Sequence, residues 1–295
     1  MEAFILIAII AYLLFAINGV IDKFLLRKDI PEPATFAFYV GILSGLAILL
    51  APFGMTLPSF KVTLVALISG ALFVYALVTL YKSLKHADAS LVFPSVGAMV
   101  PVVTLLTSAV IIGEALTTRS VWGIIFLALG SLLLGLAYGK ATKNKWIGYS
   151  VLAAILFAFS FTLAKYVYLT EPFISGLIWT RIGSVTGALT LLLIPGVFAK
   201  ITNTTNKISQ PKGALFMSGQ VIGAGAGILQ NYAVALGSVT IVNALQGTQF
   251  ALLFLLTWAL SVWFPKVLKE DISATSLLKK IAAIVVVLIG LILVA

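Results

Sequence analysis

Ten stretches of about 20 apolar residues follow one another along this chain, and they limit its fold more than any other feature. They run over 3–26, 32–52, 60–83, 89–112, 118–138, 146–168, 172–194, 213–236, 239–264 and 274–295. A helix rises 1.5 Å per residue, so about 20 residues cross a hydrocarbon layer about 30 Å thick with every amide satisfied internally. The runs are continuous rather than alternating, which excludes a membrane β-barrel. The expected fold is an all-α membrane protein of ten transmembrane helices. Composition agrees: 61% of the 295 residues are hydrophobic and 9% are charged, against roughly a quarter charged in a soluble domain. Cysteine is absent, which removes disulfides, thiol nucleophiles and Cys-based metal sites.

The breaks between runs carry turn chemistry. Ile30-Pro31-Glu32-Pro33 stops one run and starts the next, Pro52 and Pro58 bracket a short loop, and Lys140 to Lys145 is a polar hinge. Lys200 to Lys212 reads as the longest polar loop.

The chain also resembles itself. Leu14 to Lys23 (LFAINGVIDK) aligns without gaps to Leu156 to Lys165 (LFAFSFTLAK), and Glu32-Pro33 matches Glu171-Pro172. Ser69-Gly70 matches Ser218-Gly219, Ser90-Leu91-Val92 matches Thr240-Ile241-Val242, and Leu105-Leu106-Thr107 matches Leu255-Leu256-Thr257. The matches keep chain order, which implies two five-span repeats, 1–139 and 146–295, joined by a cytoplasmic linker at 140–145. Five is odd, so the second repeat enters the membrane from the opposite side, giving two inverted five-helix repeats.

The charges test this arrangement separately. Net charge is +10, which in a soluble chain suggests nucleic acid. Here 14 of the 19 Lys and Arg residues fall in the loops joining spans 1–2, 3–4, 5–6, 7–8 and 9–10. Only Lys61 and Arg119 lie on the other side, and Lys23, Lys165 and Arg181 lie within spans. By the positive-inside rule the basic side is cytoplasmic, so both termini are non-cytoplasmic in a multi-pass protein of the cell (inner) membrane. The excess charge is a topology signal and implies no nucleic-acid partner.

The fourth-span stretch FPSVGAMVPVVTLLTSAVIIGEALT, Phe93 to Thr117, together with the ten spans and the five-plus-five repeat, resembles the EamA-type branch of the drug/metabolite transporter superfamily. The paired prolines Pro94 and Pro101, followed by Gly113-Glu114, are the most specific part. The resemblance implies two packed EamA-like units, a central cavity and transport of small metabolites by alternating access. The second repeat departs from the pattern, with Ala251 in place of the second proline and Trp263-Phe264-Pro265-Lys266 where Gly-Glu is expected.

A cation near the middle of a span is costly and faces a cavity or a partner. Arg181, about nine residues into the seventh span, therefore reads as a clamp for a carboxylate or phosphate, or as a structural pair. Asn18 and Ser160 are repeat equivalents. So are Lys23 and Lys165, read either as pathway mouths or as side chains snorkelling to headgroups. Asn243, Gln246 and Gln249 share one helix face, and with Gln220, Gln230 and Asn231 form either a polar substrate wall or interhelical glue. Tyr75 and Trp179 could shape a cavity or belong to the interfacial belts. Pro94 and Pro101 are expected to bend the fourth span, as a hinge or a static kink. Glu114 reads as a cap or dipole contact for the fifth helix, or as a proton-coupling group.

The functional expectation is a secondary transporter that moves a small polar or amphipathic metabolite, such as an amino acid or a related compound with an anionic group, in the export direction. It needs no cofactor and no metal, and its partners are the substrate and the bilayer. The sequence does not set an oligomeric state, and a monomer is compatible with it. The alternatives are a flippase for a lipid-linked substrate and, from another class, a membrane-embedded enzyme or structural protein. One His, no Cys and a single in-span acid, Asp22, argue against an enzyme.

Overall fold

The computed structural model describes residues 2–25, 32–138, 144–205, 210–263 and 274–295, with the side chains of these apart from 22–25, 137–138, 202–205, 210–217, 220, 260–263 and 274–277. Every described element is helical: α1 (Ala3–Leu25), α2 (Pro33–Ser44), α3 (Phe60–Leu84), α4 (Ala89–Ile111), α5 (Thr118–Tyr138), α6 (Lys145–Thr170), α7 (Phe173–Leu191), α8 (Val197–Thr205), α9 (Gln210–Leu236), α10 (Val239–Ala244), α11 (Gln246–Trp263) and α12 (Ala274–Val294). Among the described residues, seven segments are long and apolar enough to cross a membrane: α1, α2 with its extension, α3, α4, α5, α6 and Val239–Ala259. Large apolar side chains stand on the outside, with Leu57, Val110 and Leu193 each more than 80% exposed. Only a surface meant for lipid tolerates this.

Three expectations change. The second run is α-helical only to Ser44 and then tightens into a 3₁₀ stretch, Gly45–Phe53, whose Pro52 has no amide to give. The 200–212 loop is not uniformly irregular: α8 occupies 197–205, its Val197 and Ile201 buried one turn apart beside α2. The run over 239–264 is broken at Leu245 into α10 and α11.

α3 is the central strut, packed along both α6 and α7. Toward α7 it presents a seam of small residues. A Cβ on Gly183 would lie 2.6 Å from the Ala66 and Leu67 carbonyl oxygens, and one on Gly187 would lie 2.6 Å from the Ala71 Cα. The backbones therefore touch, as small residues allow in helix pairs without a hydrophobic drive between them. Toward α6 the contact is polar and reciprocal: Ser69 Oγ donates to the Ser160 carbonyl (2.8 Å) and Ser160 Oγ to the Ser69 carbonyl (2.9 Å). α5 lies along α12, with Gly123, Gly130 and Gly290 at their seam, and α1 lies along α9 and α11.

Both described chain ends lie at one end of the bundle. Phe4 sits on Gly237 between α9 and α10, Arg119 at the start of α5 donates to the Ile292 carbonyl (2.9 Å), and Thr240 bonds Glu114. At the opposite end Glu32 accepts from Lys85 (2.6 Å) and Lys200 (3.0 Å), so three basic loops meet on one carboxylate. Those lysines, Lys85 first, hold its carboxyl below the usual carboxylate range. That stabilisation is present above the ordinary Glu pKa and is lost as pH falls through the lowered one. All three groups are partly exposed, so Glu32→Gln is expected to cost less than about 1 kcal/mol at low salt and nothing measurable at high salt. Thermal unfolding at two ionic strengths checks this.

Candidate functional site

α7 buries Thr180, Gly183, Ser184 and Gly187. Arg181 is left on the flank of that buried face, half-buried at mid-helix. Its guanidinium carbon stands 5.7 Å from the centre of the Phe73 ring on α3. Phe73 is edge-on to Phe157 (5.6 Å) and Phe161 (6.5 Å) of α6, so an aromatic wall backs the cation. The Tyr168 hydroxyl, also on α6, is an electrostatic neighbour of Arg181. Among the described residues no carboxylate pairs with Arg181 and no hydrogen bond holds it. The guanidinium therefore keeps its planar fork for another group.

α9 closes the other side of this region. Tyr168 Oη donates to Asn231 Oδ1 (2.9 Å), and Asn231 Nδ2 donates to the Gly227 carbonyl (2.7 Å). One and two turns earlier, Gly223 and Gly219 lie against the Asn18 carboxamide of α1. Gly227, on the same stripe between Gly223 and Asn231, has nothing within 4 Å of where a Cβ would stand. The stripe is packed against α1 at one point, tied to α6 at another, and open between. Gln230 Nε2 donates to Tyr12 Oη (3.2 Å), which donates to the Val242 carbonyl (2.8 Å), linking α9, α1 and α10.

The break between α10 and α11 adds polar groups. Leu245 N–H reaches the Ile241 carbonyl, and Thr248 N–H reaches the Leu245 carbonyl. Asn243 is buried, its Nδ2 donating to Thr104 Oγ1 (3.2 Å) while its Oδ1 has no described partner. Gln246 and Gln249 are half-buried and make no described hydrogen bond. Gln246 lies beside Gly97 of α4, where Phe250 also packs. Unsatisfied carboxamides at this depth are tolerated where they face a wet interior, not lipid.

Set against known proteins, residues 3–136, which span α1 to α5, match the family model described as the EamA-like transporter family. Over these residues the chain is similar to the EamA-like transporter family. That family lies within the drug/metabolite transporter superfamily, and the seven long apolar segments among the described residues fit a multi-pass membrane protein. A crystal structure 18% identical in sequence superposes over 98% of each chain with a TM-score of 0.66. That likeness is one of fold. No curated protein matches the chain.

The structure brings some expected residues together and separates others. Arg181 is linked through Tyr168 to Asn231 of α9, and Asn18 and Gln230 lie on the contacts of α9 with α1. Asn243, Gln246 and Gln249 lie at the nearby break. Ser160 faces Ser69 and is fully engaged there. Tyr75 shares a hydrogen bond with Thr190 (2.9 Å). Trp179 points the other way along α7, its indole donating to the Thr56 carbonyl in the α2–α3 loop (3.0 Å). It braces a loop and borders no part of the Arg181 region. α4 is a single helix through Pro94 and Pro101, both buried. The side chains of Lys23 and Gln220 and most of the 140–145 linker lie outside the described residues.

Two readings are corrected, snorkelling for Lys165 and capping for Glu114. Lys165 does not snorkel. It is 8% exposed, and its Nζ donates to the carbonyls of Val234 (2.8 Å), Ala235 (3.1 Å) and Gly237 (2.8 Å), closing the C-terminus of α9. The last carbonyls of a helix lack amide partners and carry partial negative charge, so a buried ammonium satisfies both needs at once. Glu114 does not cap α5, whose first turn is bonded by Thr117 instead. Gly113, at φ +67°, turns the chain so that the Glu114 carboxylate accepts from Thr240 Oγ1 (2.6 Å), which also meets Ser108 (2.9 Å). Phe73, Tyr168, Tyr12 and Thr104 were not singled out from sequence. A phenol inside an apolar span was the only local signal for two of them, and the rings that back Arg181 look like any other core residues.

Proposed function

We propose that this EamA-like protein is a ten-span secondary transporter built from two inverted five-helix repeats, and that it exports a small metabolite bearing a carboxylate or similar anionic group, such as an amino acid, by alternating access. The observation that carries the reading is Arg181: a half-buried guanidinium at mid-helix with no carboxylate or hydrogen-bond partner among the described residues, backed by the Phe73 ring and neighboured by Tyr168, which is itself tied to Asn231 of α9. The anion would sit on its fork, with Asn231, Gln230, Gln246 and Gln249 as polar neighbours. Nothing in this scheme requires a cofactor or metal.

Paired contacts support the repeat. α3 packs on α6 through Ser69 and Ser160, while α9 packs on α1 through Gly219 and Asn18. Asn18 and Ser160 are equivalent in the sequence alignment, so each repeat places its first helix against the third helix of the other. Gly219 stands where Ser69 does, one residue from the sequence match. α4 meets α6 as α10 and α11 meet α1, and α5 meets α12. The basic loops gathered around Glu32 support non-cytoplasmic termini.

The flippase alternative gains little. An apolar groove opens outward between α4 and α6, lined by Leu106, Thr107, Val110, Ile111 and Phe159. Behind it Thr107 Oγ1 bonds Thr162 Oγ1 (2.8 Å), which closes the seam a lipid-linked substrate would need.

Thermal unfolding of the purified protein with a panel of amino acids, other carboxylates, sugars and nucleosides tests the reading. A carboxylate held at a hundredfold its Kd is expected to stabilise the wild type by about 2.7 kcal/mol. Stabilisation by sugars or nucleosides alone would contradict an anion site at Arg181.

A further inference from the structure

We propose that Lys165 is the latch that holds the pathway shut at the end of the bundle where α9 turns into α10, and that releasing it opens that mouth. The inference rests on the transporter reading. α6 and α9 touch only narrowly, and among the described residues α9 reaches α6 through two ties: Tyr168 with Asn231, and the three bonds from Lys165. The three carbonyls span the last turn of α9 and Gly237 beyond it, so the ammonium grips the turn itself and not one helix face. Beside it Thr240 is tied to Glu114 and Ser108 of α4 and its following loop.

The rest of the bundle is asymmetric in the sense this latch requires. α3 is sealed along α7, backbone to backbone, yet the equivalent pair under the proposed repeat, α9 with α2, has at most marginal contact among the described residues. α4 likewise packs broadly on α5, and α11 only slightly on α12. Helices joined at the α9–α10 end and separated toward the other describe a pathway shut at one mouth and loosened at the opposite one. In such a pathway the buried charge–carbonyl cluster is the contact that must break for the two ends to exchange states. A short polar cluster suits this role, because it has two discrete arrangements, bonded or hydrated.

The protein contains no cysteine, so one reporter can be read cleanly. Gly227→Cys places a thiol in the open part of the α9 stripe, where no atom lies within 4 Å. Its labelling by an impermeant maleimide is measured in right-side-out and inside-out vesicles. With Lys165 present, labelling is expected from the face bearing the basic loops. Lys165→Met is expected to raise labelling from the opposite face at least about tenfold, since it removes three charge-assisted hydrogen bonds and one alone is worth about that factor. Lys165→Arg is expected to keep the original sidedness. If Lys165→Met does not accumulate, Thr240→Val removes the adjacent tie isosterically and is expected to shift sidedness the same way by a smaller factor. Unchanged sidedness in a folded Lys165→Met or Thr240→Val protein would overturn the latch and reduce Lys165 to a structural cap. The readout uses no substrate, so this failure is separate from failure of the Arg181 site.

Discussion

Gly70→Val is expected to abolish the folded protein. A Cβ at Gly70 falls inside contact distance of the Thr180 carbonyl oxygen and the Ser184 amide nitrogen, atoms of the α7 backbone that cannot rotate away. α7 is also held by Gly41 of α2 and Gly45 of the 3₁₀ stretch, where a Cβ on Gly41 would lie 2.7 Å from the Ala188 Cβ. The seam has no direction in which to yield. Overpacking a tight interior costs about 1–3 kcal/mol and occasionally more, and here a branched side chain must separate two helices along the central strut. Against a total stability of about 5–15 kcal/mol, little folded protein is expected, measured as monodisperse yield in detergent. Gly148→Ala is the matched control. Gly148 is an exposed helical glycine with nothing within 4 Å of its would-be Cβ. That change is expected to be neutral or to stabilise by up to about 1 kcal/mol through helix propensity.

Arg181→Lys is expected to fold normally and to lose most transport. Charge and much of the stem are kept, and the cation still lies near Phe73. What is lost is the planar fork that binds a carboxylate through two parallel bonds. One such bond to a charged group is worth about 1.5–3 kcal/mol, so transport efficiency is expected to fall about 10- to 100-fold. Arg181→Ala is expected to fall further, because the anion then meets no cation at this depth. Phe73→Leu is the companion change: it keeps the volume, removes the aromatic face, and is expected to move the apparent affinity by only a few-fold.

How much could be read in advance differed by element for physical reasons. The ends of α1, α3, α4 and α5 fall within two residues of the apolar runs, because hydrophobic length and the Pro and Ser residues at the breaks act locally. The break at Leu245 was invisible: the run is buried on all sides there, so apolar residues continue straight through it. α8 was hidden in a polar stretch, since two buried side chains one turn apart are too little pattern. Arg181 stood out because a charge within an apolar run is conspicuous. Lys165 stood out for the same reason, but its partners are carbonyls about 70 residues away in a helix end, and no local spacing encodes a cap of that range. Glu114 was read as a cap for the helix that follows it, but its partner comes from the second half of the chain. Trp179 shares α7 with Arg181 and faces the loop, a direction that only the packing of α7 on α3 decides.

The central claim is that Arg181 anchors a transported anion. Counterflow in proteoliposomes tests it most directly, with the carboxylate that most stabilises the purified protein as the labelled solute and wild type and Arg181→Lys reconstituted in parallel. The expected result is uptake by the wild type well above protein-free liposomes and uptake by Arg181→Lys near that background. Equal uptake by the two proteins, or no uptake of any carboxylate by the wild type, would contradict it.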